Sequence, residues 1–545
     1  MMKKIFIAAS AIAVLAFGAC SDLNSIKPEG GTLLADQLNE SIEADPTRAD
    51  AVFNGLFTKL GEPGSVFPKS SDPRPDDFGF IMSDFSNDLE TGDIVLSDNG
   101  YNWFSVCGEL TSRNADYANP YIRYASCYNE IAAAHDVLKA FPADSEDPII
   151  QAKIGQAYAI RAYAYLRLVP YYQFSYEKAA DQPCIPIVTL ETEDFTNNPR
   201  ATVAAVYDLI IADLNTAIEK LEAYSRPDKS KIDQQTAYGL RARAYLYMGK
   251  YAEALADAQN AAEGYTPASI AEVSSPTFKD ISEHNWIWGY DMTTAVAAKS
   301  IYSTSSAWVR SFSGDSYSAG TGTYARINNI LYVKIPATDV RKGWWVDENL
   351  ASPLLDGQVW GDLKGQEIAT GTIENVKMVF DPYTNVKFGM DPIGNTTNAE
   401  DWPFMRVEEM LLIQAECLAK TGKTAEAEKV LTDFVKTYRD PAYNVAATGR
   451  SLEDEIWFQR RIELWGEGLA NPDVRRLNKP VVRFIDAKTS IVPEAFRFNM
   501  TADDGWMLLR FCTDELNTNF AIVDNQGGAL PLQDQNPDLR DGVTD

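Results

Sequence analysis

Apolar residues recur at helical spacing along much of the chain. From Ile122 to Phe141 they fall three and four apart, and Pro142 ends the run. Ile149 to Tyr172 continues in the same way, rich in alanine and tyrosine (QAKIGQAYAIRAYAYLRLVPYY). From Val203 to Leu221 one stripe collects Val206, Leu209, Ile210, Leu214, Ala217, Ile218 and Leu221, with Thr196 and Thr202 nearby as start signals. Each stretch predicts an amphipathic helix.

Two further stretches predict helical hairpins of one kind. In AYGLRARAYLYMGKYAEALADAQNAAEGY, residues Ala242, Tyr245, Gly249, Tyr251, Ala254 and Ala261 stand where a tetratricopeptide unit places its small and aromatic residues. Small side chains let two antiparallel helices approach, and Gly249 opens the turn between them. MLLIQAECLAKTGKTAEAEKVLTDFVKTY repeats the offsets with Ala415, Leu418, Gly422, Ala427 and Phe434. The helices at 122–141 and 149–172 form a candidate degenerate hairpin. Such units stack because one alone cannot bury its apolar face. Hairpins are therefore expected over about 122–263 and 405–438.

Elsewhere the helical period disappears. Residues 269–401 are rich in Gly, Ser, Thr, Asn and aromatics, with strand-like runs at Asn285–Gly289 and Ile330–Ile335. Residues 63–106 share that character. Both read as loops and small sheets, where function concentrates. The fold class is mainly α: tetratricopeptide-like hairpins packed against an irregular, loop-rich half with minor β.

The N-terminus adds an address. Lys3 and Lys4 precede the apolar stretch Ile5–Phe17, which closes as Phe17-Gly18-Ala19-Cys20. That is too short to span a bilayer and reads as a cleaved export signal, residues 1–19. Cys20 resembles a lipobox cysteine, whose thiol takes a diacylglycerol; Phe17 departs from the usual Leu. Ser21–Gly31 is a polar tether, and length alone would permit two or more domains after it. Attachment to a membrane is thus expected through the N-terminal lipid only.

Composition excludes several chemistries. A formal charge of −28 argues against nucleic acid or anionic lipid as partners. Beyond Cys20, the cysteines are Cys107, Cys127, Cys184, Cys417 and Cys512, an odd number without close pairing. They form neither a disulfide framework nor a CxxC metal site, and Cys417 falls inside an apolar helix pattern. His135 and His284 stand alone, so neither a zinc triad nor a histidine-activated nucleophile is offered. His135 reads as a surface or satisfied helix residue. No cofactor or metal is expected. Asp- and Asn-rich loops could hold a structural Ca²⁺, but EF-hand spacing is missing.

These segments together, in order, resemble the SusD/RagB family of Bacteroidetes outer-membrane nutrient-binding lipoproteins. The order is Cys20, IRAYAYLRLVPYY with PCIPIVT, VYDLIIADLNTAIEKL, GLRARAYLYMGKYAEAL, MRVEEMLLIQAECLAKTGKTAEAEKVL, IWFQRRIELWGEGLANPDVRRLN and ALPLQDQNPDL. The penultimate block carries a family pattern on Arg460, Glu463, Leu464, Glu467, Gly468, Asp473, Val474 and Arg476, with Gln459 where Glu is usual. The resemblance implies four hairpins in a single α-helical domain over 20–545 and an oligosaccharide ligand, with peptides in some branches. It also implies a TonB-dependent outer-membrane transporter as partner, surface exposure and no catalysis.

Sugars stack their C–H faces on flat rings, and Tyr and Trp provide these with few rotatable bonds. Tyr101 and Trp103 follow an Asp98-Asn99-Gly100 turn signal and share a side if extended. The family commonly takes a platform aromatic from this region, so Trp103 is the first candidate, with Asn102 as a hydroxyl partner. Tyr302, Trp308, Tyr317 and Tyr324 lie among Ser, Gly and Thr, a setting that favours exposure. Trp286 and Trp288 are expected in the core, and Trp344-Trp345 in a structural motif. Asp76 and Asp77 could bond hydroxyls but read as solvated. Arg460, Glu463, Glu467 and Arg476 read as structural ion pairs.

Three alternatives stand beside a glycan receptor. A peptide-binding transporter lid would also use aromatics. A glycoside hydrolase needs two facing carboxylates, whereas the adjacent pairs Asp76-Asp77 and Glu408-Glu409 point apart. A scaffold that binds only protein leaves the aromatic insert without a role.

Overall fold

The computed structural model describes residues 45, 48–64, 66–67, 74–98, 103–299, 308–314, 316–355 and 380–545. The chain divides into a short unit, 1–53, and a large one, 54–545. Among the described residues the first holds the start of helix α1 (Arg48–Thr58). Cys20 and the signal segment lie outside the described residues, as do Tyr101, Asn102 and Tyr302. No helix among the described residues is long and apolar enough to cross a membrane.

The predicted helices form close to their expected bounds. They are α3 (Ala118–Ala140), α4 (Pro148–Tyr172), α5 (Val203–Lys220), α6 (Gln234–Tyr247), α7 (Tyr251–Ala262), α8 (Val407–Lys420) and α9 (Thr424–Tyr438). Thr202 caps α5, its side chain accepting from the Ala205 amide, while Thr196 instead bonds Asp194 in a turn. Asp147 caps α4, with Pro148 in the first turn where its missing amide hydrogen costs nothing. Each helix packs on its successor from α3 through α7. Helix α7 then packs directly on α8, so the second hairpin stacks on the first as though the intervening residues were absent.

The two hairpin turns are the same motif. Gly249 and Gly422 adopt φ +72° and +79°. The following amides, Lys250 and Lys423, donate to Tyr245 and Leu418 at 2.9 Å each; the glycine amides donate to Leu246 and Ala419 at 3.1 Å each. This is a Schellman C-cap, which needs a left-handed residue and so selects glycine.

Among the described residues the strands form three antiparallel two-stranded pairs. Strand β1 (Ile94–Val95) pairs with β5 (Arg326–Ile327), β2 (Pro183–Pro186) with β3 (Arg200–Thr202), and β4 (Trp286–Tyr290) with β6 (Trp402–Arg406). Trp286 and Trp288 are fully buried, as expected, and so are Trp344 and Trp345. The five cysteines of the described chain are buried and free.

Two local expectations are overturned. The run Ile330–Ile335 is not a strand; Asn329–Tyr332 is a helical turn capped by the Asn328 side chain. Residues 63–106 are not all loop. They contain α2 (Gly79–Leu89, GFIMSDFSNDL), every residue of which is buried. Because α2 is enclosed all round, it shows no polar face to betray its period. Its two aspartates and its asparagine have partners instead. Asp84 pairs with Arg167, Asn87 donates to the Gly468 carbonyl, and Asp88 accepts from the Gly468 and Ala470 amides. Gly468, at φ +81°, lies so close to Asp84 that a Cβ would overlap it at 2.5 Å.

A fully enclosed charge network ties the insert to the helices. After α9 come α10 (Leu452–Glu463) and α11 (Ala470–Arg476). At the end of α10, Glu463 bonds Arg439 at 2.8 Å, Arg406 at 3.2 Å and Arg341 at 3.2 Å. Glu467 takes Arg406 at 2.8 Å and Lys387 at 2.7 Å. Glu408 pairs with Arg406 and Arg439, and Asp339 with Arg341. Four cations thus meet four carboxylates. The three arginines hold the Glu463 carboxyl far below its ordinary range despite burial, and Arg406 and Lys387 lower Glu467. Burial draws Lys387 down to about 8, with Glu467 opposing. Gln459, the departure from the family pattern, accepts from Arg341 and donates to Glu455 at 2.7 Å. A glutamate there would set two carboxylates face to face. Arg460 and Arg476 share Asp473 at 2.7 and 2.8 Å, so the expected ion pairs of this block are present. Glu409 points away from Glu408, to Arg243 at 2.6 Å.

Candidate ligand-binding site

Trp103 stands between the segment after β1 and a short helix, Ser105–Gly108. Its ring is half-buried, and the Arg74 guanidinium lies 4.7 Å from its centroid. The same guanidinium lies 5.1 Å from the Phe67 ring, so Arg74 sits against two aromatics. Phe67 in turn meets Tyr121, in the first turn of α3, edge to face at 5.5 Å.

Arg74 is held by a carboxylate. Its Nε and NH2 each donate to Asp76 at 2.9 Å, a two-pronged bond that sets the plane of the guanidinium. Asp76 is fully buried, and burial raises its carboxyl more than Arg74 lowers it. Asp77 is buried too and accepts from the Val66 and Phe67 amides at 3.1 and 2.9 Å. The expectation that these carboxylates are solvated was therefore incorrect. Both are internal struts, Asp76 holding Arg74 and Asp77 holding the Val66 and Phe67 amides.

Beneath Trp103 the aromatics continue inward. Phe104 is buried and meets Phe85 of α2 at 4.8 Å and Trp308 at 4.7 Å, both edge to face. Trp308 stacks on Tyr317 at 4.8 Å and 30°, and its Nε1 donates to the Pro75 carbonyl at 2.7 Å. The structure thus brings Trp103, Trp308 and Tyr317 into one neighbourhood, joined through Phe104 and the 74–77 turn. It does not leave them equally open. Trp308 is 1% exposed, against the expectation of an exposed ring, whereas Tyr317 is half-buried. Trp308 lies under the cluster because its indole N–H finds a carbonyl inside. Tyr324 is likewise 1% exposed, packed edge to face on Phe380 at 5.0 Å. Neither ring is available to stack on a ligand in this conformation.

Phe67, Arg74 and Tyr121 escaped the sequence reading. The trace they leave is slight: Arg74-Pro75-Asp76 sets opposite charges two apart across a proline, and Tyr121 reads as an ordinary helix residue. Among the described residues no group of three or more His, Cys, Asp or Glu is placed to hold a metal.

Two family models and several solved structures resemble the chain. A family model described as "Starch-binding associating with outer membrane" matches residues 83–246. A second model, that of the SusD family, matches 367–525. Together they span more than half of the chain; the first covers α3 to α5 and most of α6, the second α8 to α11. The chain belongs to the SusD family. Solved structures share its fold. A SusD-like carbohydrate binding protein from Bacteroides vulgatus ATCC 8482 has a TM-score of 0.68 at 23% identity, over 87% of this chain and 97% of that one. A SusD superfamily protein from the same organism has a TM-score of 0.69 at 17% identity, over 89% and 99%. A laminarin binding SusD-like protein has a TM-score of 0.58 at 19% identity, over 88% and 99%. At these identities the likeness is one of fold. No curated protein matches the chain. Trp103 lies inside the first matched span; Trp308, Tyr317 and Tyr324 fall between the two.

Proposed function

We propose that this SusD-family chain is a lipid-anchored outer-membrane receptor that captures an oligosaccharide at the Trp103 cluster and delivers it to a TonB-dependent transporter, without chemistry of its own. The observation that carries the reading is the half-buried Trp103 ring braced by Arg74, itself clamped by the buried Asp76. A ring held in place loses little entropy when a sugar face settles on it. The family description names starch binding, and one structure of the same fold is a laminarin binder; both favour a glycan over a peptide. The charge of −28 favours a neutral glycan over an acidic one. The lipobox-like Cys20 supports the anchor, and Asp76 and Asp77 are engaged as struts rather than facing each other across a bond to be cleaved.

Affinity electrophoresis and calorimetry against soluble starch, laminarin, xylan, mannan and a casein digest test this reading. Binding to a polysaccharide, abolished or weakened in Trp103→Ala and unaccompanied by released sugar, supports it. Binding to the digest alone favours a peptide receptor, and sugar release identifies a hydrolase. Cys20→Ala is expected to move the protein out of the membrane fraction.

A further inference from the structure

The structure contains a second recess that shares no residue with the Trp103 cluster. Its volume is about 750 Å³, within the range of ligand pockets, and Tyr332, Tyr383, Lys342, Asp347, Glu348 and Leu354 are among its walls. It lies in the insert, with most of its lining between the two family-matched spans.

Tyr383 is the informative residue. In Asp381-Pro382-Tyr383-Thr384 the Thr384 amide donates to the Asp381 carbonyl at 3.2 Å, and Tyr383 has φ +71°. Proline second and a left-handed residue third describe a type II turn, whose third place favours glycine or asparagine. A tyrosine there is strained, and the backbone holds it: its amide donates to Val346 and its carbonyl accepts from Ile327, both at 3.1 Å. Strain of this kind clusters at ligand sites and switch regions. The ring lies 5.1 Å from that of Tyr332, tilted by 59°, and neither phenol hydroxyl has a hydrogen-bond partner among the described residues.

The charges narrow the ligand. Asp347 and the exposed Glu348 stand near both phenols, and they help burial to hold the Tyr332 hydroxyl up at about 12. Asp347 spends one oxygen on the Asn349 and Ala351 amides. An anion is therefore disfavoured. A cation finds its aromatic place taken, because Lys342 already lies 5.0 Å from the Tyr332 ring and donates to the Ile335 carbonyl at 2.7 Å. What remains suited is a neutral molecule with many hydroxyls and flat C–H faces. We propose that this recess is a second binding site for a neutral oligosaccharide, contacted by Tyr332 and Tyr383 and bonded by Asp347 and Glu348. The proposal rests on the glycan reading above.

The test measures binding of soluble starch, laminarin, xylan and mannan to the wild type, Tyr383→Gly, Tyr332→Phe and Trp103→Ala. Tyr383→Gly relieves the turn, so it is expected to melt at or above the wild-type temperature yet bind the recognised polysaccharide at least threefold more weakly. Tyr332→Phe, which loses only a hydroxyl, is expected to weaken binding about twofold without altering the fold. Wild-type affinity in both variants overturns the second site and leaves the Trp103 reading standing. A wild type that binds none of the four polysaccharides defeats both. Binding of polylysine that is lost in Tyr383→Gly reassigns the recess to cations and overturns the glycan assignment.

Discussion

The charge network around Glu463 and the aromatic cluster around Trp103 both rest on arginines, yet they use them differently. In the network Arg341, Arg406 and Arg439 are wholly enclosed: each bonds one or more buried carboxylates, and the rings beside Arg406 and Arg439, Phe278 and Phe434, are buried too. Nothing there is left for a ligand to bond. In the cluster Arg74 bonds the buried Asp76 and lies against the rings of Phe67 and Trp103. Its side chain is still 20% exposed, and Trp103 is half-buried. A closed set of charges holds helices in place, whereas a charge that stiffens a half-open ring prepares a surface. The residues that mark the family most clearly are therefore not those expected to meet the ligand.

The largest effect is expected in the network. Glu463→Gln leaves three buried arginines short of a carboxylate and should cost about 3–5 kcal/mol in denaturant unfolding. A loss below about 1 kcal/mol would mean the network is dispensable to the fold.

Glu130 offers a contrast to those paired charges. It is buried in α3, one of its oxygens has no partner, and burial pushes its carboxyl up to about 8. The folded protein keeps that proton while the unfolded chain releases it near its ordinary value. Its contribution is then fully present below about pH 4.5 and is lost as pH rises toward 8, by up to about 1.4 kcal/mol per unit. Glu130→Gln should flatten that slope in melts taken across the same range. His135 acts on the other side. Burial and Arg161, 3.0 Å away, draw its imidazole down to about 4, so its contribution is present above pH 6.5 and fades as pH falls to 4.

At the cluster, Trp103→Ala should weaken polysaccharide binding roughly tenfold, about 1.4 kcal/mol, while the melting temperature stays close to that of the wild type. A large fall in stability with unchanged affinity would place Trp103 with the structural residues and dissolve the comparison. The smallest effect belongs to the hairpin turns. Gly249→Ala and Gly422→Ala meet no neighbouring atom within 4 Å, so each should cost only the left-handed strain, about 1 kcal/mol. Equal losses confirm that the two turns are one motif.

Much of the helical body was legible because its signals are local. The stripe from Val206 to Leu221, the Thr202 cap and the paired glycines each act within a few residues of where they stand. The site was legible only in part. Trp103 lies half-buried beside a turn, as a loop aromatic should, but Trp308 and Tyr324 look alike in sequence context and prove internal. What encloses Trp308 is Pro75, Phe85 and Phe104, more than two hundred residues away, and no pattern within a window can register them.

By itself, then, the sequence determined the helices, their turns and the block of charges that names the family, since periodicity, caps and left-handed glycines depend on neighbours along the chain. The tertiary structure alone decided that α2 is a helix without a polar face, that Asp76 and Asp77 are struts, and that Trp308 lies under the cluster while Trp103 stays half-open. Those outcomes depend on which distant segments arrive to exclude water. Burial is a property of the assembled neighbourhood, not of the residue.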